Sequence, residues 1–289
     1  VNGTYDITQA PSTVTVTCAP SSVAYNGMPH DICTAEATGA GMTPVTLPVT
    51  YSPDNVNVGT VTASASWAGD ANHTGNSGSA TFDITQALVT ATAGGGSSEY
   101  DGSTKTPSAC SVTGSYTGDL TCANNPLTVG PGVGSFTIVP VVSGTGLSNF
   151  NITYVNGTYD ITQAPSTVTV TCTPSSVVYT GAAHDICTAE ATGAGMTPVT
   201  LPVTYSPDNV NVGTVTASAS WPGDTNHTGN SGSSTFTITK ATSTTTVSCT
   251  PGSFTYTGSA ITPCTATVTG AGGLNTTATV TYTNNVNVG

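Results

Sequence analysis

Residues 1–18, VNGTYDITQAPSTVTVTC, return letter for letter as residues 155–172. The likeness runs further, since residues 1–86 match 155–240 at all but ten positions. Half of that 154-residue offset, 77, also recurs: Cys33 maps onto Cys110, Gln86 and Ala87 onto Gln163 and Ala164, and Cys172 onto Cys249. Self-similarity at a fixed period marks an array of like units, and it overrides the two domains that 289 residues would suggest by length. Within the repeated stretch, Thr4-Tyr5-Asp6-Ile7-Thr8 and Ser12-Thr13-Val14-Thr15-Val16-Thr17 alternate polar with apolar residues, the period of strands with one buried face. Pro11 lies between them, lacks an N–H and suits a break between two sheets. One unit is therefore expected to close before a short joint at Gln9-Ala10-Pro11, and the next to open after it.

The period divides the chain into five pieces. Residues 1–10 read as the final strand of a preceding module, 11–87 as module one and 88–164 as a divergent module two. Residues 165–241 read as module three, a near copy of module one, and 242–289 as an incomplete module four. In module one the expected strands are 13–18, 23–26, 31–38, 45–51, 59–67 and 79–85, separated by turn signals such as Asn26-Gly27, Ser52-Pro53-Asp54-Asn55 and a long turn over 69–76. Val61, Ala63, Ala65 and Trp67 share one face, while Phe82 and Ile84 oppose Thr81, Asp83 and Thr85. No helical period occurs, so the fold class is all-β: antiparallel β-sandwich modules in tandem, arranged end to end. Module four follows the pattern for 48 residues, and no basic-then-apolar leader precedes it all. The sequence is thus expected to be an excerpt of a longer chain, with donor-strand exchange between subunits as the alternative.

Eight cysteines fall as one close pair per module: Cys18 with Cys33, Cys110 with Cys122, Cys172 with Cys187, and Cys249 with Cys264. Module two has Gly95 where its siblings have a cysteine, and its partner has moved to Cys122. Zinc spacings such as C-x2-C are absent, so disulfides and an oxidising compartment are expected. The formal net charge is −12, Arg is absent, and Lys105 and Lys240 are the only lysines. Such a surface repels the phosphate backbone of nucleic acid and anionic membrane alike. Membrane insertion is also not expected, because no apolar run approaches the ~18 residues of a spanning helix. Only 6% of residues are charged, so Thr, Ser, Asn and Gly must dominate the exterior, as in secreted arrays.

Two sets of segments carry a resemblance. Residues 149–164, NFNITYVNGTYDITQA, resemble the closing strands of MBG-type domains of bacterial surface proteins. Trp67-Ala68-Gly69-Asp70-Ala71-Asn72-His73 and Trp221-Pro222-Gly223-Asp224-Thr225-Asn226-His227 are similar to the aromatic-x-Gly-Asp-x-Asn turn of bacterial immunoglobulin-like repeats. The resemblance implies immunoglobulin-like sandwiches in an adhesin, stalk or extracellular fibre. The local cysteine pairs depart from the vertebrate pattern, in which a longer-range bridge crosses the two sheets.

Catalysis needs convergent groups, and none is expected. His30-Asp31 and His184-Asp185 lack a serine in a nucleophile elbow, and Glu36 and Glu190 occupy one equivalent position in two modules. Gly94-Gly95-Gly96-Ser97 lacks the lysine of a phosphate loop and reads as a flexible hairpin. Calcium is the candidate metal, at Asp70 and Asn72 and their counterparts Asp224 and Asn226. Each cluster offers one carboxylate where calcium wants several, and side chains capping their own turns explain the same letters. No metal or other cofactor is expected. Six sequons, at Asn2, Asn72, Asn151, Asn156, Asn226 and Asn275, are candidate glycosylation sites. Lys240 stands where the other joints have Gln and reads as a solvated surface residue.

The functional expectation is a non-enzymatic structural protein: an extracellular filament or cell-surface stalk whose partners are copies of itself or further modules. The alternative is an adhesin segment gripping glycan, a partner protein, or a host or neighbouring surface, through loops bearing residues such as Trp67 or Tyr100.

Overall fold

A computed structural model describes residues 1–288. The chain divides into two compact units, one made of Val1–Ser98, Thr104–Gly130 and Gly134–Ile161, the other of the remaining described residues. Module one contributes β1 (Ser12–Cys18), β2 (Ser22–Ala24), β3 (Cys33–Gly39), β4 (Val45–Leu47), β5 (Thr50–Ser52), β6 (Gly59–Gly69) and β7 (Thr74–Thr85). They form two sheets, β1-β3-β4 and β2-β7-β6-β5. The alternating residues do what their period demands: Val61, Ala63, Phe82 and Ile84 are buried in one cluster, Val14, Ala35, Ala37, Leu47 and Ala65 in the next. The first half of β7 also lies along β1, where Asn76 Nδ2 donates to the Ser12 carbonyl and Ser12 Oγ to the Thr74 carbonyl, each at 2.6 Å.

Module two contributes β8 (Ala87–Thr92), β9 (Gly96–Glu99), β10 (Ser111–Gly114), β11 (Thr121–Asn125), β12 (Gly134–Ser143), β13 (Phe150–Val155) and β14 (Gly157–Thr162). Its sheets are β10-β8-β13 and β11-β12-β14-β9. The counterpart of β7 is broken at Asn156, so that β13 runs parallel to β8 and β14 pairs antiparallel with β12. Module three repeats module one: β15 (Ser166–Cys172), β16 (Ser176–Val178), β17 (Cys187–Gly193), β18 (Val199–Leu201), β19 (Thr204–Ser206), β20 (Gly213–Gly223) and β21 (Thr228–Thr239). Module four has β22 (Ser243–Cys249), β23 (Cys264–Gly270) and β24 (Leu274–Ala278) in one sheet.

Four disulfides join Cys18 to Cys33, Cys110 to Cys122, Cys172 to Cys187 and Cys249 to Cys264. Three of them link residues directly opposite each other on paired strands, with Cα atoms 4.0–4.1 Å apart. The module two bond instead reaches from the residue before β10 to β11 in the facing sheet. The cysteine that opens β3, β17 or β23 is also held by a tyrosine: its N–H donates to Tyr51, Tyr205 or Tyr282 Oη at 3.4, 3.4 and 2.9 Å. Closing a loop of about 15 residues stabilises a fold by about 3 kcal/mol, a large fraction of what a small domain has in total. The bonds are compatible with a secreted or extracellular protein. No helix among the described residues is long and apolar enough to cross a membrane.

Several expectations need correction. The strand expected over 45–51 is two strands in different sheets, because Pro48 supplies no N–H to continue a ladder and the chain changes sheet there. The turn expected over 69–76 is only four residues, Asp70 to His73, and β7 begins directly after it. Gly69 makes this tightness possible: its φ is +87°, and a methyl group there would lie 2.6 Å from the His73 carbonyl oxygen. Gly94 and Gly95 are no flexible hairpin. They carry the chain from β8 in one sheet to β9 in the other, and a side chain at Gly94 would overlap the Ser108 carbonyl oxygen. Apart from these corrections, residues 1–9 lie outside the strands. Tyr5 and Ile7 stand 84% and 86% exposed, whereas their copies Tyr159 and Ile161 in β14 are buried. Those copies rest on β12 and β9, and residues 1–9 have no such neighbours.

Candidate functional site

The features that recur around each connector make the joints the candidate site. Gln9 Nε2 donates to the Asp70 carbonyl at 2.8 Å, the Ala10 N–H donates to the Asn72 carbonyl at 2.8 Å, and the Thr74 N–H returns to the Ala10 carbonyl at 2.9 Å. Module three repeats this set: Gln163 Nε2 to Asp224 at 2.8 Å, Ala164 N–H to Asn226 at 2.9 Å, and Thr228 N–H to Ala164 at 2.9 Å. Ahead of module two, Gln86 Nε2 donates to the Ser148 carbonyl at 3.0 Å. The connectors ahead of modules one, two and three are thus each fastened to a turn of the module that follows. The proline after Gln-Ala at Pro11 and Pro165 has no N–H to strand there.

That turn is built on an aspartate and a histidine. Asp70 Oδ1 accepts the N–H groups of Asn72 and His73, both at 2.8 Å, and the His73 ring places Nδ1 2.9 Å from the same oxygen. The other ring nitrogen, Nε2, sits 2.9 Å from the carbonyl oxygen of Ala40 in the β3–β4 turn. Asp224 and His227 reproduce this at 2.7, 2.7 and 2.9 Å, with His227 Nε2 2.8 Å from the Ala194 carbonyl. His73 and His227 are 7% and 2% exposed. Trp67 and Trp221 lie tilted against them, ring centroids 6.1 and 6.0 Å away. The Ala40 carbonyl, then the Asp70 carboxylate, hold the His73 imidazole above its ordinary pKa. For His227 the Ala194 carbonyl and Asp224 outweigh burial in the same direction. The Asn72 N–H and the His73 ring hold Asp70 below the ordinary carboxylate range. Burial pushes Asp224 up, but its bonds from His227 and Asn226 prevail and it too lies low.

The sequence candidates sort themselves around this geometry. Asp70 and Asp224, considered for calcium, have the facing oxygen committed to two N–H groups and an imidazole, so they are turn caps. Asn72 and Asn226 contribute backbone carbonyls to the connectors. Asp54 caps its own turn in the same way, accepting the N–H groups of Val56 and Asn57 at 2.8 Å. Among the described residues no three His, Cys, Asp or Glu side chains gather as a metal group. Asp31 and Asp185 accept the side-chain amides of Asn55 and Asn209 at 2.8 and 2.7 Å, tying the β5–β6 and β19–β20 loops down. Of the six sequon asparagines, Asn2, Asn72, Asn151, Asn156 and Asn275 are exposed and Asn226 is half-buried. Trp67 and Tyr100 are half-buried, each against a histidine: Tyr100 meets His227 edge-on at 5.1 Å within the second unit.

One joint residue went unread in the sequence. Asn149, 5% exposed, accepts the Val58 N–H at 3.0 Å and donates from Nδ2 to Asn57 Oδ1 at 2.9 Å, linking modules one and two. Its 77-residue counterpart Asn226 accepts the Val133 N–H at 3.1 Å. The signal lay in the period, since positions 72, 149 and 226 are all Asn. The next position reads His73, Phe150, His227, and Phe150 replaces the imidazole with an aromatic contact. Tyr25 of module one packs edge-on to Phe150 and Tyr116 at 5.4 and 5.5 Å. These rings, with Asp119 and Thr145, border a cleft of about 620 Å³. No protein-family model matches this chain, and no curated protein matches it either.

Proposed function

We propose that the chain is a segment of an extracellular filament or cell-surface stalk, built from immunoglobulin-like sandwiches that follow one another through short fastened joints. The observation that carries this reading is the repetition of one connector set, Gln side chain and paired Ala backbone bonds, at residues 9–10 and 163–164 with distances that agree within 0.1 Å. A binding face is tuned residue by residue. A spacer needs only the same joint again. The disulfide in each module supports a role outside the cell, where small domains meet heat and load without chaperones. Partners on this reading are other copies or further modules. Electron microscopy of the native material is expected to show beaded rods, and freely hinged beads would overturn the reading.

A second reading, an adhesin segment, draws on the cleft bordered by Tyr25, Tyr116 and Phe150, because aromatic rings beside hydroxyls and a carboxylate suit a sugar ring. Glycan-array binding that is lost in Tyr116→Ala decides for it.

A further inference from the structure

The ring of His73 meets two hydrogen-bond acceptors and no donor. A carboxylate oxygen and a carbonyl oxygen have no proton to give, so both ring nitrogens must carry one for both 2.9 Å contacts to be hydrogen bonds. A neutral imidazole has a single N–H, and its other nitrogen would turn a lone pair on an oxygen. The same arithmetic holds at His227, between Asp224 and the Ala194 carbonyl. These rings join the β3–β4 or β17–β18 turn to the turn that receives the connector, through Thr74 and Ala10 or Thr228 and Ala164.

We propose that His73 and His227, in their charged form, are positioning residues that clasp these two turns together and so fix the connector ahead of modules one and three. The connector ahead of module two, where Phe150 occupies the same position, has no such clasp. The array on this view alternates joints that slacken in alkali with one that is indifferent to pH. The inference rests on the reading of the connectors as the functional joints.

Few other groups face the rings. Around His73 the structure places Asp70, the Ala40 carbonyl, the Trp67 ring and the backbone of Gly39. Around His227 it places Asp224, the Ala194 carbonyl, Trp221, the backbone of Gly193 and the phenol of Tyr100. In each case the one carboxylate favours the charged ring. Because the folded pKa is raised, the clasp is complete below the ordinary value of about 6.5 and is lost as pH rises through the folded one.

The test uses the full chain. Nuclear magnetic resonance of the imidazole Cε1–H protons from about pH 5 to pH 9 is expected to show His73 and His227 titrating above the same residues in the denatured chain. Over that transition, amide exchange at Ala10, Thr74, Ala164 and Thr228, corrected for its intrinsic pH dependence, is expected to speed up about fivefold, the loss of one hydrogen bond. The Val58 amide, which faces Asn149, shows no step. His73→Gln keeps a donor for the Ala40 carbonyl but cannot titrate, so its step at Ala10 and Thr74 disappears while that at Ala164 persists. Titration at or below the denatured value, a step that survives in His73→Gln, or an equal step at Val58 overturns the clasp. Micrographs separate the two readings: beaded rods with a flat exchange profile sink the clasp alone, whereas titrating histidines without rods sink the array alone.

Discussion

Truncating Asn149 to Ala isolates the bond that links modules one and two. The side chain is almost wholly buried and makes two hydrogen bonds across the joint, accepting the Val58 N–H at 3.0 Å and donating to Asn57 at 2.9 Å. Val58 is half-buried, so its N–H loses its partner without full access to water. Leaving such a donor stranded costs about 1–3 kcal/mol. At 1.4 kcal/mol per factor of ten, a loss near 2 kcal/mol corresponds to roughly 30-fold faster exchange of the Val58 amide. Native-state hydrogen exchange on the full chain reads this directly, residue by residue. The acceleration belongs at Val58, with core amides of β6 such as Val61 left as slow as before. Asn149→Asp keeps the acceptor and loses only the amide donor, so its effect falls between wild type and Ala. A Val58 amide that exchanges no faster in Asn149→Ala would show that the bond does not hold the joint.

Other outcomes follow from the same structure. Replacing Cys18 and Cys33 by Ser removes about 3 kcal/mol, which for a module of this size lowers its melting temperature by roughly 12–24 °C in calorimetry, while module three, with its own bond, melts as before. Phe82→Ala empties the centre of module one and costs about 3–5 kcal/mol, again without moving the transition of module three, whose core is built on Phe236. Asp54 and Asp208 are held below the ordinary carboxylate range, first by the N–H groups of Asn57 and Asn211. Their contribution is present above the unfolded pKa and is lost as pH falls through the folded one, so an Asp54→Asn, Asp208→Asn double variant is expected to be less stable than wild type near pH 7 in chemical denaturation followed by circular dichroism and to converge with it in acid, and a stability difference that does not shrink as pH falls would discount the caps.

Legibility in the sequence followed the length over which a local rule holds. The two-residue period of 59–67 runs on without interruption, and β6 forms there, buried on the face that Val61, Ala63 and Ala65 define. A proline inside a similar period at 45–51 split the strand, because a ladder fails at one missing N–H whatever the side chains prefer. Residues 4–8 have the period but no neighbouring strand, and a strand exists only as part of a sheet. The joint was legible as a connector from Gln9-Ala10-Pro11. Its clasp was not, since a histidine three residues after an aspartate reads as a polar turn until Ala40, 33 residues away, is seen to cover it. The Asn149 contact joins positions 91 and 92 residues apart, beyond the reach of any local pattern.

The placement of the disulfides on facing residues decides how this chain would lengthen under tension. Cys18 to Cys33 locks 15 residues into a closed ring, and the same span is locked in modules three and four. At roughly 3.4 Å per extended residue, a stretched module gives up about 50 Å less contour than its residue count allows. Module two, with 12 residues in its ring, withholds about 40 Å. The extension of such a chain is capped by chemistry, and a reducing agent would restore the missing length in steps of two sizes.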